Sequence, residues 1–159
     1  VLDEEYLSFR IGQVRYLGEL LDRADVPILK PIGGHAVYLN AKEFLPHIPQ
    51  DQFPAQSLAV TLYREYGIRG VEIGTAMFGK KDPATGRTIH PELEMVRLAI
   101  PRRVYTNMQI VYVAESIIEL YRQRELIQGL RLTYEAPALR HFTARFEELQ
   151  DQSLVHRAS

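Results

Sequence analysis

The chain has 159 residues and a hydrophobic fraction of 46%, enough apolar content for one well-cored domain. Lys and Arg number 19 against 20 Asp and Glu, a net charge of -1, which argues against nucleic acid as the main partner because phosphate contacts need a basic surface. There is no cysteine, which excludes disulfides and thiolate metal sites, and no apolar run approaches the roughly 20 residues needed to span a bilayer.

In chain order, residues 4–22 place Leu7, Ile11, Val14, Leu17, Leu20 and Leu21 at spacings of three and four, one apolar face of a long helix with Asp3 as its N-cap. Pro27 and Pro31 then favour an extended stretch, and Gly33-Gly34 permits a sharp turn. His35 to Leu39 reads as a strand that Asn40 stops, and the prolines at 46, 49 and 54 mark a loop. Pro54 suits the first turn of a helix to Tyr66, with Gly67 as its C-terminal stop. Ile68 to Gly74 is a second strand. Gly79 to Gly86 is turn chemistry at the tip of an antiparallel connection. A strand from Met95 to Ile100 follows, closed by Pro101. Thr106 and Gln109 form a capping-box signature for a helix to about Glu125, carrying Ile110, Val113, Ile117 and Leu120 on its apolar stripe. Leu130 to Tyr134 alternates as a strand, and so does Leu139 to Phe146. The order predicts an α+β fold: an antiparallel or mixed sheet with helices on one face. Residues 1–149 are expected to form a single domain and 150–159 a disordered tail. No signal-peptide pattern opens the chain, and a cytoplasmic location is compatible with the absence of cysteine. Because the chain starts at Val1 in what already reads as helix, a fragment of a longer protein is expected.

Arg97 is the residue that asks for an explanation. It lies in the apolar run Met95-Val96-Arg97-Leu98-Ala99-Ile100, and a buried guanidinium cannot shed its proton, so it needs an anion or costs several kcal/mol. Alternation puts Val96, Leu98 and Ile100 on the core face and Met95, Arg97 and Ala99 on the other. In the last strand, Phe142, Ala144 and Phe146 share one face and Leu139, His141, Thr143 and Arg145 its opposite. A semi-apolar face with an arginine and a histidine suits a sheet that covers something, and the pattern leaves a ligand site and a structural ion pair equally open. His141 reads as an acid, base or donor, or as a satisfied histidine at a sheet end. His35 reads as packing, and His47 and His90 as solvated. No two histidines have the ligand spacing of a helix, and neither a Gly-x-Ser-x-Gly elbow nor a phosphate-binding glycine fingerprint occurs. Lys80-Lys81 sits in turn chemistry, the opposite of the desolvated pocket a Schiff-base lysine needs. The residues supply parts for binding and no complete reactive group.

Gly33-Gly34-His35-Ala36-Val37, Phe53-Pro54-Ala55-Gln56-Ser57-Leu58-Ala59, Val71-Glu72-Ile73-Gly74, Val96-Arg97-Leu98-Ala99-Ile100-Pro101-Arg102 and Leu139-Arg140-His141-Phe142-Thr143-Ala144 together resemble the β-eliminating lyases, the tryptophanase and tyrosine phenol-lyase enzymes. The resemblance runs from about Tyr6 to Leu149. It implies the small C-terminal domain of an aspartate-aminotransferase-type (fold type I) enzyme. Pyridoxal phosphate and its Schiff-base lysine would belong to an absent large domain, leaving the fragment inactive alone. It further implies a homotetramer and a monovalent cation, K+. Arg97 matches the arginine that binds the substrate α-carboxylate. Ile73 matches a position where tyrosine phenol-lyases place an arginine and tryptophanases an apolar residue. His141 matches a histidine of tryptophanases where tyrosine phenol-lyases carry phenylalanine. Arg102-Arg103-Val104-Tyr105-Thr106 looks closer to the phenol-lyase branch. The expected activity is β-elimination of L-tryptophan to indole, pyruvate and ammonia. The alternatives are tyrosine phenol-lyase or a stand-alone module that binds an amino acid or a partner.

Overall fold

The computed structural model describes residues 4–101, 104–136 and 140–149. The first helix, α1 (Glu4–Arg23), buries Val14, Leu17 and Leu21, three residues at helical spacing, while Ile11 on the same predicted face stays 40% exposed. Strand β1 (Ala36–Asn40) leads into the short helix α2 (Ala41–Phe44) and a 3-10 turn (Gln50–Gln52). Helix α3 (Pro54–Tyr66) starts on proline, whose missing N–H costs nothing in a first turn. It ends at Gly67, whose φ of 67° is the left-handed conformation a C-terminal stop requires; the amides of Gly67 and Ile68 donate back to the carbonyls of Tyr63 and Leu62. That cap consumes Ile68, so strand β2 is only Val71–Ile73, shorter than the stretch from Ile68 to Gly74 that the sequence predicts. One helical turn, α4 (Thr75–Phe78), follows it.

The hairpin β3 (Lys80–Lys81) and β4 (Thr88–Ile89) has a tip held by Asp82, which accepts from the Ala84 amide and the Thr85 hydroxyl. Strand β5 (Met95–Ala99) precedes helix α5 (Asn107–Arg122), which opens with the predicted capping box: Thr106 accepts from the Gln109 amide and its own amide donates to the Gln109 side chain. The helix stops at Arg122, and a 3-10 turn (Arg124–Leu126) occupies its expected last residues.

The main sheet has the order β1-β5-β2 and is antiparallel throughout. Its core face carries Val37, Leu39, Val96 and Leu98 against Leu17 of α1, Leu58 and Leu62 of α3, and Ile110 and Ile117 of α5 in one apolar cluster. Helices thus cover one face of this sheet. The α+β class holds, but the strands form small antiparallel sheets rather than one continuous sheet. Among the described residues no helix is long and apolar enough to cross a membrane.

The C-terminal stretch corrects the sequence reading. Residues 139–146 do not form one strand: α6 (Arg140–Thr143) is a helical turn and only β7 (Arg145–Glu148) pairs, with β6 (Leu130–Tyr134). Leu139 lies outside the described residues, as do Arg102, Arg103 and 150–159. Strand β6 is five residues long and offers partners to 145–148 alone. Among the described residues the preceding backbone has no strand beside it, and it closes its own bond, Ala144 amide to Arg140 carbonyl at 2.9 Å. The predicted face of Phe142, Ala144 and Phe146 is broken accordingly: Phe142 is 82% exposed, while Phe146 stacks edge-on against Phe53 with ring centroids 5.1 Å apart.

Candidate functional site

Arg97 sits on the central strand of the main sheet, with Tyr38 of β1 directly across on one side and Val71 of β2 on the other. Directly paired residues of an antiparallel sheet point to the same face, so Arg97, Tyr38 and Val71 share one, opposite the core residues Val96 and Leu98. Ile73, paired with Met95, lies on that face as well, one diagonal step from Arg97. The alternation read from the sequence therefore holds. Arg97 is half-buried and its Nε is buried without a hydrogen-bond partner. Among the described residues its guanidinium makes no ion pair, whereas Arg64 pairs with Glu65 and Glu148, Arg131 with Glu147 and Arg140 with Glu135. A planar fork left with a buried, unused donor is matched by a carboxylate or phosphate from outside these residues.

His141 is placed elsewhere. It stands on α6 at the edge of β2, with Nδ1 3.6 Å from Oε2 of Glu72. Its side chain is 22% exposed, and its Nδ1 is buried without a hydrogen bond. An open cleft of about 790 Å³ runs along this edge, lined by Tyr63 and Val60 of α3, by Val71 and Glu72, and by His141 and Phe142. Neither Arg97 nor Ile73 lines it. The structure thus brings Arg97 and Ile73 to one sheet face and sets His141 beside Glu72 at the sheet edge.

Glu72 is a residue the sequence reading passed over. It faces Val96 on the core side, is 3% exposed, and accepts the amides of Ala76 and Met77, so it caps α4 from the strand before it. Burial pushes its pKa up to about 7; the two amides and Arg140 pull it down, and nearby Glu94 pushes it further up. Glu94 is itself fully buried. One of its oxygens accepts from the Thr75 amide at 2.8 Å, from the Thr75 hydroxyl and from Gln50 at 3.2 Å, and the other has no partner. Both carboxyl groups close on Gly74, where a Cβ would collide with Glu94 Oε2 and stand 2.9 Å from Glu72 Oε1. The signal was present in the sequence: an acid inside Val71-Glu72-Ile73 is as expensive as an arginine inside an apolar strand.

The remaining candidates are ordinary. His35 is exposed, His47 meets the Ile127 carbonyl at 3.0 Å and Glu125 at 3.4 Å, and His90 contacts the Thr75 hydroxyl at 3.2 Å. His47 and His90 are therefore held by partners rather than merely solvated. Lys80 and Lys81 are exposed on the hairpin, and Lys81 pairs with Glu135 at 2.9 Å. Among the described residues no group of three or more His, Asp or Glu could hold a metal ion.

The sequence model of the β-eliminating lyase family matches residues 1–116. A tyrosine phenol-lyase from Symbiobacterium sp. (strain SC-1) is 55% identical over 149 residues, covering 94% of this chain and 32% of that protein. A tyrosine phenol-lyase from Intrasporangium calvum is 53% identical over 154 residues, 97% of this chain and 32% of that protein. A tryptophanase from Salinibacter ruber is 49% identical over 156 residues, 98% of this chain and 33% of that protein. The chain spans about a third of the length of the curated relatives it matches.

Proposed function

The chain belongs to the β-eliminating lyases, and on that premise we propose that it supplies substrate recognition to an enzyme cleaving L-tryptophan into indole, pyruvate and ammonia. The observation that carries the proposal is Arg97: a half-buried guanidinium on a central strand with an unused buried donor and, among the described residues, no ion-pair partner. An amino-acid carboxylate is the anion that fits, because two parallel N–H donors grip both oxygens and fix the direction of the bond to Cα. A substrate so clamped offers its Cα–H bond in one orientation, and that restriction lowers the barrier to removing the proton.

Pyridoxal phosphate is expected for the family and supplies the electron sink for such eliminations. The lysines of this chain do not fit it. Lys30 pairs with Asp22 in solvent, Lys42 donates to the Glu92 carbonyl, and Lys80 and Lys81 lie on an exposed hairpin. None has the desolvated setting that turns a lysine into a Schiff-base amine. The proposal therefore assigns the cofactor to another part of the enzyme and leaves binding and orientation to these residues. Under it, residues 1–149 form the small domain of an aspartate-aminotransferase-type enzyme, cytoplasmic and homotetrameric, with K+ bound outside the described residues.

Tryptophan is favoured over tyrosine by Ile73. An apolar side chain beside Arg97 suits an indole wall and offers a phenol hydroxyl nothing, and a site lacking the group that meets a hydroxyl loses most of its preference for it. The second reading, tyrosine phenol-lyase, is favoured by overall identity, 55% to such an enzyme against 49% to a tryptophanase. Indole and phenol release by the full-length enzyme decides between them. Arg97→Ala should lower kcat/KM for tryptophan by at least about a hundredfold, since truncating one partner of a desolvated charge pair costs several kcal/mol. Kinetics within a few-fold of wild type would end the carboxylate assignment.

A further inference from the structure

We infer that Glu72 is a positioning residue for His141: its carboxylate takes the Nδ1–H of the imidazole, leaving Nε2 as the nitrogen free to meet a ligand. The inference rests on a further part of the proposed function: that His141, the position matched to a histidine of tryptophanases, meets the substrate side chain.

Four observations converge on it. The Nδ1 of His141 is buried and has no hydrogen-bond partner, yet it stands 3.6 Å from Glu72 Oε2. That separation is an ion-pair distance, a few tenths of an ångström from a hydrogen bond, and catalytic contacts often tighten when substrate fills the site. Glu72 cannot swing away, because the Ala76 and Met77 amides hold its two oxygens at 3.0 Å each. The helical turn that carries the imidazole is anchored beside it: Arg140 donates to the Gly79 carbonyl at 3.1 Å and lies 3.2 Å from Glu135. Finally, Glu72 and His141 line the same cleft. The two ring nitrogens lie on different edges of the imidazole, so a carboxylate at Nδ1 turns the Nε2 edge away from itself. A carboxylate that fixes the tautomer and orientation of a histidine is the device used wherever an imidazole must present one defined nitrogen. Capping α4 alone does not need this arrangement, since a cap requires only amides and leaves the ring out.

The charged groups around the pair are Glu94, beyond Gly74, Arg140 on α6, and Arg64 and Arg69, which line the cleft from α3 and from the segment before β2. Work at pH 8 keeps Glu72 ionised, because its pKa lies at about 7.

The test is a double-mutant cycle in the full-length enzyme at pH 8, with Glu72→Gln, His141→Phe and the pair. Glutamine keeps the volume of Glu72 and one acceptor for the α4 amides. His141→Phe should lower kcat/KM for tryptophan about tenfold or more; Glu72→Gln should cost about tenfold with His141 present and less than about twofold in the phenylalanine background, because no imidazole is left to orient. Equal losses from Glu72→Gln in both backgrounds would mean that Glu72 serves α4 alone, overturning the inference while the role of His141 stands. No loss from His141→Phe would instead remove the recognition role, and the inference with it. Nitrogen NMR of histidine-labelled wild-type enzyme, with His141 assigned from the His141→Phe spectrum, depends neither on tryptophan turnover nor on the folding of a Glu72 variant. A proton on Nδ1 supports the inference, and a proton on Nε2 alone overturns it.

Discussion

An arginine in place of Ile73 would set a second guanidinium one diagonal step from Arg97 on the same sheet face. Two like charges on one half-buried face repel, and the substrate carboxylate can neutralise only one of them, so the newcomer needs an acceptor of its own. A phenol oxygen provides one and an indole ring carbon does not. Ile73→Arg in the full-length enzyme is therefore expected to lower kcat/KM for tryptophan by about tenfold to a hundredfold while raising the phenol-to-indole ratio, a difference read by parallel assays of both products. An unchanged ratio would show that position 73 does not meet the leaving group. Under the proposed function the two roles separate at this scale: Arg97 would recognise what all amino acids share, and Ile73 what distinguishes their side chains.

The elements that hold these residues are short, and their ends do much of the positioning. Helix α5 begins where Thr106 and Gln109 satisfy each other's amides, and Gln13 of α1 donates to the Tyr105 carbonyl just before it, so one capped end ties two helices over the sheet. Thr106→Ala removes the side-chain acceptor and should cost about 1 kcal/mol, a fall in Tm of roughly 2–4 °C for a domain of this size, measured by thermal unfolding. That cap was legible in the sequence because Thr106-x-x-Gln109 is a local signal, as were Pro54 and Gly67 at the ends of α3 and the alternation that sets Arg97 opposite Val96. What was not legible depended on neighbours. Arg140 to Phe146 alternates as well as a strand does, but whether alternation becomes a strand is decided by the length of the partner, and β6 runs out after four pairings. Glu94 reads as an acid just before its strand and Glu72 as an acid within one, and neither position says that the two carboxyl groups meet. Their burial follows from Gly74, where the missing side chain lets both carboxyl groups close in, Glu94 on Thr75 and Glu72 on the Ala76 and Met77 amides. The candidate site was half visible for the same reason: Arg97 and Ile73 are fixed by strand register, a local rule, whereas the pairing of His141 with Glu72 joins residues far apart in sequence across a helical turn that the alternation concealed.

At the scale of the whole molecule the buried carboxyl group of Glu72 makes stability depend on pH. In the unfolded chain its pKa returns to the ordinary glutamate value of 4.5, and in the folded protein it stands at about 7, burial being the main cause. Below the lower value both states hold the proton and Glu72 contributes nothing. Between the two values the unfolded chain releases the proton while the folded protein keeps it, so stability falls as pH rises. Above the upper value both are ionised, and the folded state carries the full cost of a carboxylate in an apolar setting, eased by the Ala76 and Met77 amides and by Arg140. Between pH 5 and pH 8 this group should remove about 2 kcal/mol of stability. Glu72→Gln takes the titration away and keeps an acceptor for α4. Urea unfolding of both proteins at the two pH values isolates the effect, because every other titrating group is common to them. The wild type should lose about 2 kcal/mol more than the variant on going from pH 5 to pH 8. Equal losses would place the Glu72 carboxyl in an environment no drier in the folded state than in the unfolded one. If the expected loss is found, the native state bears a standing cost for keeping Glu72 ionised at neutral and higher pH. A standing cost of that kind, carried by a carboxylate that lines a cleft 3.6 Å from the His141 ring nitrogen, fits the inferred positioning role of Glu72.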